Sequence, residues 1–248
     1  HRGAEGGDEC HRAFTMLCDS IAGEFRGHDA LIQAHATHYH FAAMHPFLDG
    51  NGRTARALEA LMLQRAGLRD TCFIAMSNYY YDEKAAYLSA LSQVRLGDGD
   101  LTPFLKFGLR GIALQSRRMA DQIKHQIAKG LYRNLMYDLF NRLKTPRKRV
   151  IAKRQLEVLR LLLEHETLEI EALVAKANPT YEQLKSPRKA FIRDLNELIS
   201  LRAIRATRLD SGRFSIDVRL EWPTEITEFE FFAQLNALPK ARTHPFLQ

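Results

Sequence analysis

His45-Pro46-Phe47-Leu48-Asp49-Gly50-Asn51-Gly52-Arg53-Thr54-Ala55-Arg56 is the run whose reading decides the fold around it. Pro46 disfavours helical geometry in the residue before it, so a helix that reaches His45 must stop there. Upstream, His28 to Met44 holds Leu31, Ile32, Tyr39 and Phe41 among alanines, with no Gly or Pro, and reads as a buried helix. Downstream, Ala55, Leu58, Leu61 and Met62 recur at helical spacing from about Arg53, and Gly67 suits the end of that second helix. The run is therefore a loop between two helices.

The loop has the parts of an anion site. Gly50 and Gly52 flank Asn51 and permit the positive φ angles that turn successive N–H groups towards one point. The helix start adds free N–H donors and a partial positive charge. Arg53 and Arg56, three apart, lie on neighbouring ridges of one helix face, where two permanent guanidiniums would clamp adjacent phosphates. Asp49 is a hard oxygen ligand, and one carboxylate plus substrate phosphates is a usual way to hold Mg²⁺. His45 can take a proton at neutral pH. Together these residues suit a nucleophile, deprotonated by His45, attacking a Mg²⁺-bound nucleotide while the loop and both arginines stabilise charge on the phosphates.

Outside the loop, Glu83 to Arg95 and Leu101 to Arg142 look helical, separated by the turn Gly97-Asp98-Gly99. The composition changes near residue 144, where Lys144, Arg147, Lys148, Arg149, Lys153 and Arg154 crowd around Pro146. The organisation expected is a catalytic domain over 1–143, a basic linker over 144–154, a second domain over 155–222 and a tail over 223–248. In the second domain, Gln155 to His165 is a leucine-rich helix. Thr167 reads as the N-cap of another, with Glu169 and Glu171 in its early turns. Ser186 and Pro187 open a third helix running to about Ser200. On it Phe191, Leu195 and Leu198 share one face and Lys185, Arg188, Lys189 and Arg193 another, with Asp194 and Glu197 diluting the basic stripe. Ala203–Arg208 and Phe214–Val218, joined by Asp210-Ser211-Gly212, read as a two-stranded hairpin. The fold class expected is mainly α: an all-helical domain, then a small α+β domain resembling a winged helix-turn-helix. Its basic helix is either a DNA-recognition helix or the solvated face of a packing module.

The formal charge of +7 and pI of about 9.4 permit nucleotide or nucleic-acid contact without requiring it. No apolar run approaches the roughly 18 residues of a membrane span, so no membrane contact is expected. Cys10, Cys18 and Cys72 form no CxxC and read as reduced thiols of a cytoplasmic protein. His35, His38 and His40 lack carboxylate or cysteine partners at metal-ligand spacing and read as packing or surface residues. His244-Pro245-Phe246-Leu247 repeats the start of the motif and nothing after it. The chain opens at His1 without Met, which reads as a fragment or the ordered part of a longer protein.

The run His45 to Arg56 resembles the motif of the Fic (filamentation induced by cAMP) family, H-P-F-x-[D/E]-G-N-G-R-x-x-R, and matches it at every specified position. His38, Tyr39 and Phe41 before it, and Tyr87–Leu91 and Asp100–Phe107 after it, extend the resemblance over residues 8 to about 120. The resemblance implies an α-helical domain that transfers AMP from ATP to a Ser, Thr or Tyr hydroxyl of a target protein, releasing pyrophosphate. By position it implies His45 as base, Asp49 as Mg²⁺ ligand, Gly50, Asn51, Gly52 and Arg53 as the anion-binding loop, and Arg56 on the terminal phosphates. Tyr87 would sit near the adenine, judged by its distance after the motif.

The chain departs from the pattern in places. Ala42 stands where an acidic residue is frequent. The target-holding β-hairpin flap, tens of residues upstream in the family, would fall at about His1–Gly7, so it is expected to be absent, truncated or replaced. Ser20 and Glu24 have the spacing of the family's inhibitory helix, but Phe25 follows where Gly or Asn belongs. Gly52-Arg53 argues against the phosphotransferase branch, which has a lysine in its loop. The alternatives are an enzyme that uses another nucleotide or removes AMP, and a DNA-binding regulator whose Fic domain senses nucleotide. Homodimerisation stays open.

Overall fold

The computed structural model describes residues 7–65, 67, 71–143 and 146–237, and for 71–75, 146, 147 and 237 the backbone alone. Internal contacts divide the chain into two compact units, His1–Gln122 and Ile123–Gln248. The described residues of the first unit contain helices and no strand: α1 (Gly7–Ala22), a 3₁₀ turn (Glu24–Gly27), α2 (Ala30–Met44), α3 (Asn51–Arg65), α4 (Thr71–Asp82), α5 (Lys84–Leu96) and α6 (Thr102–Asn141), which runs on into the second unit.

Asp29 caps α2 by accepting a hydrogen bond from Leu31 N at 2.9 Å. Its buried face carries Phe41 and Met44, which meet Leu17 of α1 and Ala55 of α3. Burial on α3 falls on Asn51, Ala55, Glu59, Met62 and Leu63. The stripe expected through Leu61 is displaced: Leu61 is 53% exposed, and a carboxylate takes the helical position between Ala55 and Met62. Residues 97–99 form the expected turn, with Gly99 at φ 84°. Two glycines on α6 let their neighbours approach: a Cβ on Gly111 would stand 2.5 Å from the Tyr79 ring, and one on Gly108 2.6 Å from His35 Nδ1.

Helix α4 has no counterpart in the sequence reading. Helix α1 is largely exposed. Leu17 is its one buried residue among those described, while Phe14 and Met16 are 43% and 69% exposed. Ser20 lies in α1 and Glu24 in the 3₁₀ turn that follows, and Glu24 is exposed.

The second unit contains the remainder of α6, then α7 (Pro146–His165), β1 (Thr167–Glu169), α8 (Ile170–Tyr181), α9 (Pro187–Ser200), β2 (Ile204–Arg208), β3 (Phe214–Val218), α10 (Trp222–Glu225) and α11 (Glu228–Ala237). The strands form one antiparallel sheet in the order β1-β3-β2. Phe191, Leu195 and Leu198 of α9 are buried, as their shared face requires.

Three expectations change here. Thr167 is not a helix cap: it pairs with Asp217, so the hairpin gains a third strand. Three residues are too few for alternation to show in sequence. Residues 146–154, read as linker, are the first turns of α7, and the contacts divide the chain earlier, at Gln122/Ile123. Residues 223–237, read as tail, help close the core, because Phe231 is buried with its ring centroid 5.9 Å from that of the buried Trp222, whose Nε1 donates to Leu201 O at 2.8 Å.

The basic cluster also resolves into structure. Arg154 is buried and donates through Nε and Nη2 to Asp194 at 2.8 and 3.2 Å, and the Tyr181 hydroxyl donates to the same carboxylate at 3.1 Å. Burial opposes the Arg154 charge, and Asp194 more than restores it, leaving the guanidinium above its ordinary pKa. Asp194, read as part of the surface stripe, faces inward.

Candidate active site

His45 ends α2 in the left-handed region, at φ 52° and ψ 55°. Pro46 does stop the helix, but through a conformation that costs a non-glycine residue about 1–2 kcal/mol rather than through extended backbone. The brace that holds this turn is Asn51. It is 3% exposed, its Oδ1 accepts from Phe47 N at 2.8 Å, and its Nδ2 donates to Phe47 O at 2.5 Å. Asn51 therefore ties the two ends of the loop together, and its own side chain is occupied.

Gly50, at φ 86°, caps α3, which begins at Asn51, two residues before the expected start. Its carbonyl accepts from Thr54 N at 2.9 Å and Thr54 Oγ1 at 3.1 Å. Its N–H donates to Asp49 Oδ1 at 2.6 Å, and Asp49 Oδ2 accepts from Arg53 Nη2 at 2.9 Å. Both side chains of that ion pair are largely exposed, so it contributes under about 1 kcal/mol and yields readily to a ligand. Gly52 keeps room for Arg56: a Cβ there would stand 3.4 Å from Arg56 Nη1. Arg56 in turn stands with Glu59, Met76 and Tyr80 around a small gap between α3 and α4. The loop apex, Leu48, is fully exposed.

Beneath these residues lies a buried polar cluster that sequence reasoning missed. Glu59 of α3 is 1% exposed. Its Oε2 accepts from His38 Nδ1 of α2 and, at 2.7 Å, from the Tyr80 hydroxyl of α4, with His35 Nδ1 at 3.6 Å. His38 Nε2 meets the Tyr87 hydroxyl of α5 at 3.1 Å. The signal was available as a lone carboxylate in phase with Ala55 and Met62 on an apolar stripe. His35 and His38, read as packing or surface residues, are buried against this carboxylate, and His40 is exposed. Among the described residues no group of His, Cys, Asp or Glu could hold a metal by itself.

Tyr87 occupies a different setting from a free adenine platform. Its ring packs against Tyr80, Phe104 and Phe107, with centroids 5.2, 6.1 and 6.2 Å away. Burial pushes its hydroxyl pKa up to about 12, with Arg56 pulling it down and Glu59 pushing it up.

Burial also raises the Glu59 pKa, but hydrogen bonds and charge from His35 and His38 outweigh it and leave the carboxyl at about 2, against an ordinary 4.5. A depressed carboxyl stabilises the fold above its unfolded pKa and loses that contribution as pH falls through its folded value. The wild type should therefore lose melting temperature as pH drops from about 4.5 towards 2, and Glu59→Gln should show a flatter profile over that window in thermal melts. Equal slopes for both proteins would contradict this assignment.

Residues 9–63 match the model of the Fic/DOC family. The chain is 35% identical over 79 residues to the protein adenylyltransferase fic-1 of Caenorhabditis elegans, covering 32% of this chain and 14% of that one. It is 38% identical over 74 residues to the protein adenylyltransferase Fic of Nematostella vectensis, covering 30% and 16%, and 38% identical over 72 residues to that of Drosophila grimshawi, covering 28% and 13%. The match thus spans about a seventh of these relatives' lengths. Residues 9–63 are thus similar to the Fic/DOC family, and within them the complete motif is seated on a helix–loop–helix.

Proposed function

We propose that this chain transfers AMP from ATP to a Ser, Thr or Tyr hydroxyl of a target protein. The observation that carries the reading is the loop itself: an exposed His45, a carboxylate at Asp49, and Gly50, Gly52, Arg53 and Arg56 gathered at the start of one helix. Relatives named as adenylyltransferases over the same stretch support it.

In this reading the phosphates lie over the first turn of α3, where unpaired N–H groups and the helix dipole favour anions. Arg53 and Arg56 hold phosphate oxygens, and Arg53 leaves Asp49 to do so. Asp49 suits a magnesium ion that arrives with the triphosphate, since one exposed carboxylate completes a site whose other ligands are phosphate and water. Such an ion would neutralise phosphate charge. His45 takes the proton from the target hydroxyl, and the hydroxyl oxygen forms a bond to the α-phosphorus. The bond from that phosphorus to the bridging oxygen breaks, and pyrophosphate leaves with the electron pair. Asn51 acts by bracing the loop, and Tyr87 offers an adenine only the ring edge its neighbours leave uncovered. Transfer of label from α-labelled ATP to a protein tests the reading, with intact mass identifying the acceptor.

A second reading concerns the second unit. The order α7, β1, α8, α9, β2, β3 supports a winged-helix reading, and Lys185, Arg188 and Lys189 are exposed on or beside α9 while Asp194 is withdrawn into the core. That leaves a basic face suited to DNA phosphates. Reversing charge at Arg188 and Lys189 should weaken DNA binding at least about tenfold in moderate salt and flatten its salt dependence. Binding unchanged by both reversals would remove DNA as a partner of this face.

A further inference from the structure

We propose that the cleft between α6 and α7 binds a small amphipathic monoanion, an apolar chain or ring bearing one carboxylate. The site lies wholly within the second unit and goes beyond the activity proposed above.

The cleft has a volume of about 470 Å³, inside the range of roughly 300–1,000 Å³ usual for small-molecule sites. Its walls follow from helical spacing. On α6, Gln126, Lys129, Gly130, Arg133 and Tyr137 stand at i, i+3, i+4, i+7 and i+11, so they share one face. On α7, Leu156, Leu159 and Leu163 share another, at i, i+3 and i+7. The floor is apolar: Met136 and Leu159 are buried, and Leu156 and Leu163 pack partly buried against the same core.

Gly130 marks the cleft as more than a gap in packing. A glycine inside a helix weakens it relative to alanine, because it costs more backbone entropy to order. Earlier on α6, Gly108 and Gly111 have a reason in the fold, since a Cβ on either would collide with His35 or Tyr79. Gly130 has none: a Cβ built there would meet no neighbouring atom within 4 Å. Its missing side chain makes room only in the cleft it lines, where a ligand can approach the helix backbone.

Charge selects the head group. Of the cations that line the cleft, Lys129 pairs with Glu166 at 3.0 Å, and Arg160 pairs with Glu157 at 2.7 Å and Glu164 at 2.8 Å. Arg133 is exposed and meets no carboxylate among the described residues. One unpaired guanidinium beside an apolar floor suits one carboxylate, which it can hold through two parallel hydrogen bonds. A polyanion would find the other cations already paired and Glu164 in the same wall.

Calorimetric titration of the full chain with decanoate tests the site. The wild type should bind with a Kd below about 1 mM. Gly130→Leu fills open space with a better helix former, so it should melt no lower than the wild type and yet bind decanoate at least about tenfold more weakly. Arg133→Ala should weaken binding about fivefold while leaving the affinity for octanol, which has no charge, unchanged. Absence of wild-type binding at 1 mM overturns the site, as does equal binding by Gly130→Leu. A wild type that takes up no decanoate but sediments as a dimer, with Gly130→Leu monomeric, overturns it in favour of a second copy of this chain. Should Gly130→Leu fail to fold, Arg133→Ala decides alone, and unchanged decanoate affinity there overturns the site.

Discussion

His45→Ala is expected to lower AMP transfer about 10³-fold while leaving ATP affinity within about twofold. The reason is positional. His45 lies past the last turn of α2, exposed, so its loss removes a base without opening a cavity in the core. The phosphate contacts of the proposed site come from α3 and its preceding loop, and Asn51 keeps that loop closed whether or not the imidazole is present. The residual rate reflects orientation and phosphate binding alone. A fall in kcat with ATP affinity retained separates a base from a binding residue. A comparable fall in ATP affinity would place His45 in the phosphate site instead.

Asp194→Ala should destabilise the second unit by about 3–5 kcal/mol, the usual effect of leaving one partner of a buried ion pair uncompensated. Arg154 would be left buried with its guanidinium unpaired, and the Tyr181 hydroxyl would lose its acceptor. The Arg154 guanidinium also lies 5.6 Å from the Tyr181 ring centroid, so the cation has no easy route to solvent without disturbing the aromatic contact with Phe191. Urea denaturation followed by fluorescence of the buried Trp222, the chain's one tryptophan, reports this unit directly. Replacing both partners, as Arg154→Met with Asp194→Leu, should recover much of the loss. A single Asp194→Ala variant that unfolds at the wild-type midpoint would show that the pair is not what secures α7 to α9.

Much of this was legible because local chemistry fixes it. Pro46 ends α2, Gly50 and Gly52 shape the loop, and the spacing of Arg53 and Arg56 puts both on one helix face. These are constraints within a dozen residues. What was not legible depends on pairings distant in sequence. Glu59 finds His38 across 21 residues, and Tyr87 finds it across 49. No periodicity encodes such meetings, although a carboxylate on an apolar stripe flags that one must exist. Arg154 was read as linker charge for the same reason: its partner stands 40 residues away. Strand β1 was missed because Thr167-Leu168-Glu169 is a strand only through β3. The motif half of the site is thus local, and its support is tertiary.

The central claim is that the loop from His45 to Arg56 moves AMP rather than phosphate. Parallel incubations with α-labelled and γ-labelled ATP, Mg²⁺ and a lysate as acceptor test it most directly. The account predicts protein-bound label from the α position alone, absent in His45→Ala. Label from the γ position, or no label from either while the protein binds ATP, would contradict it.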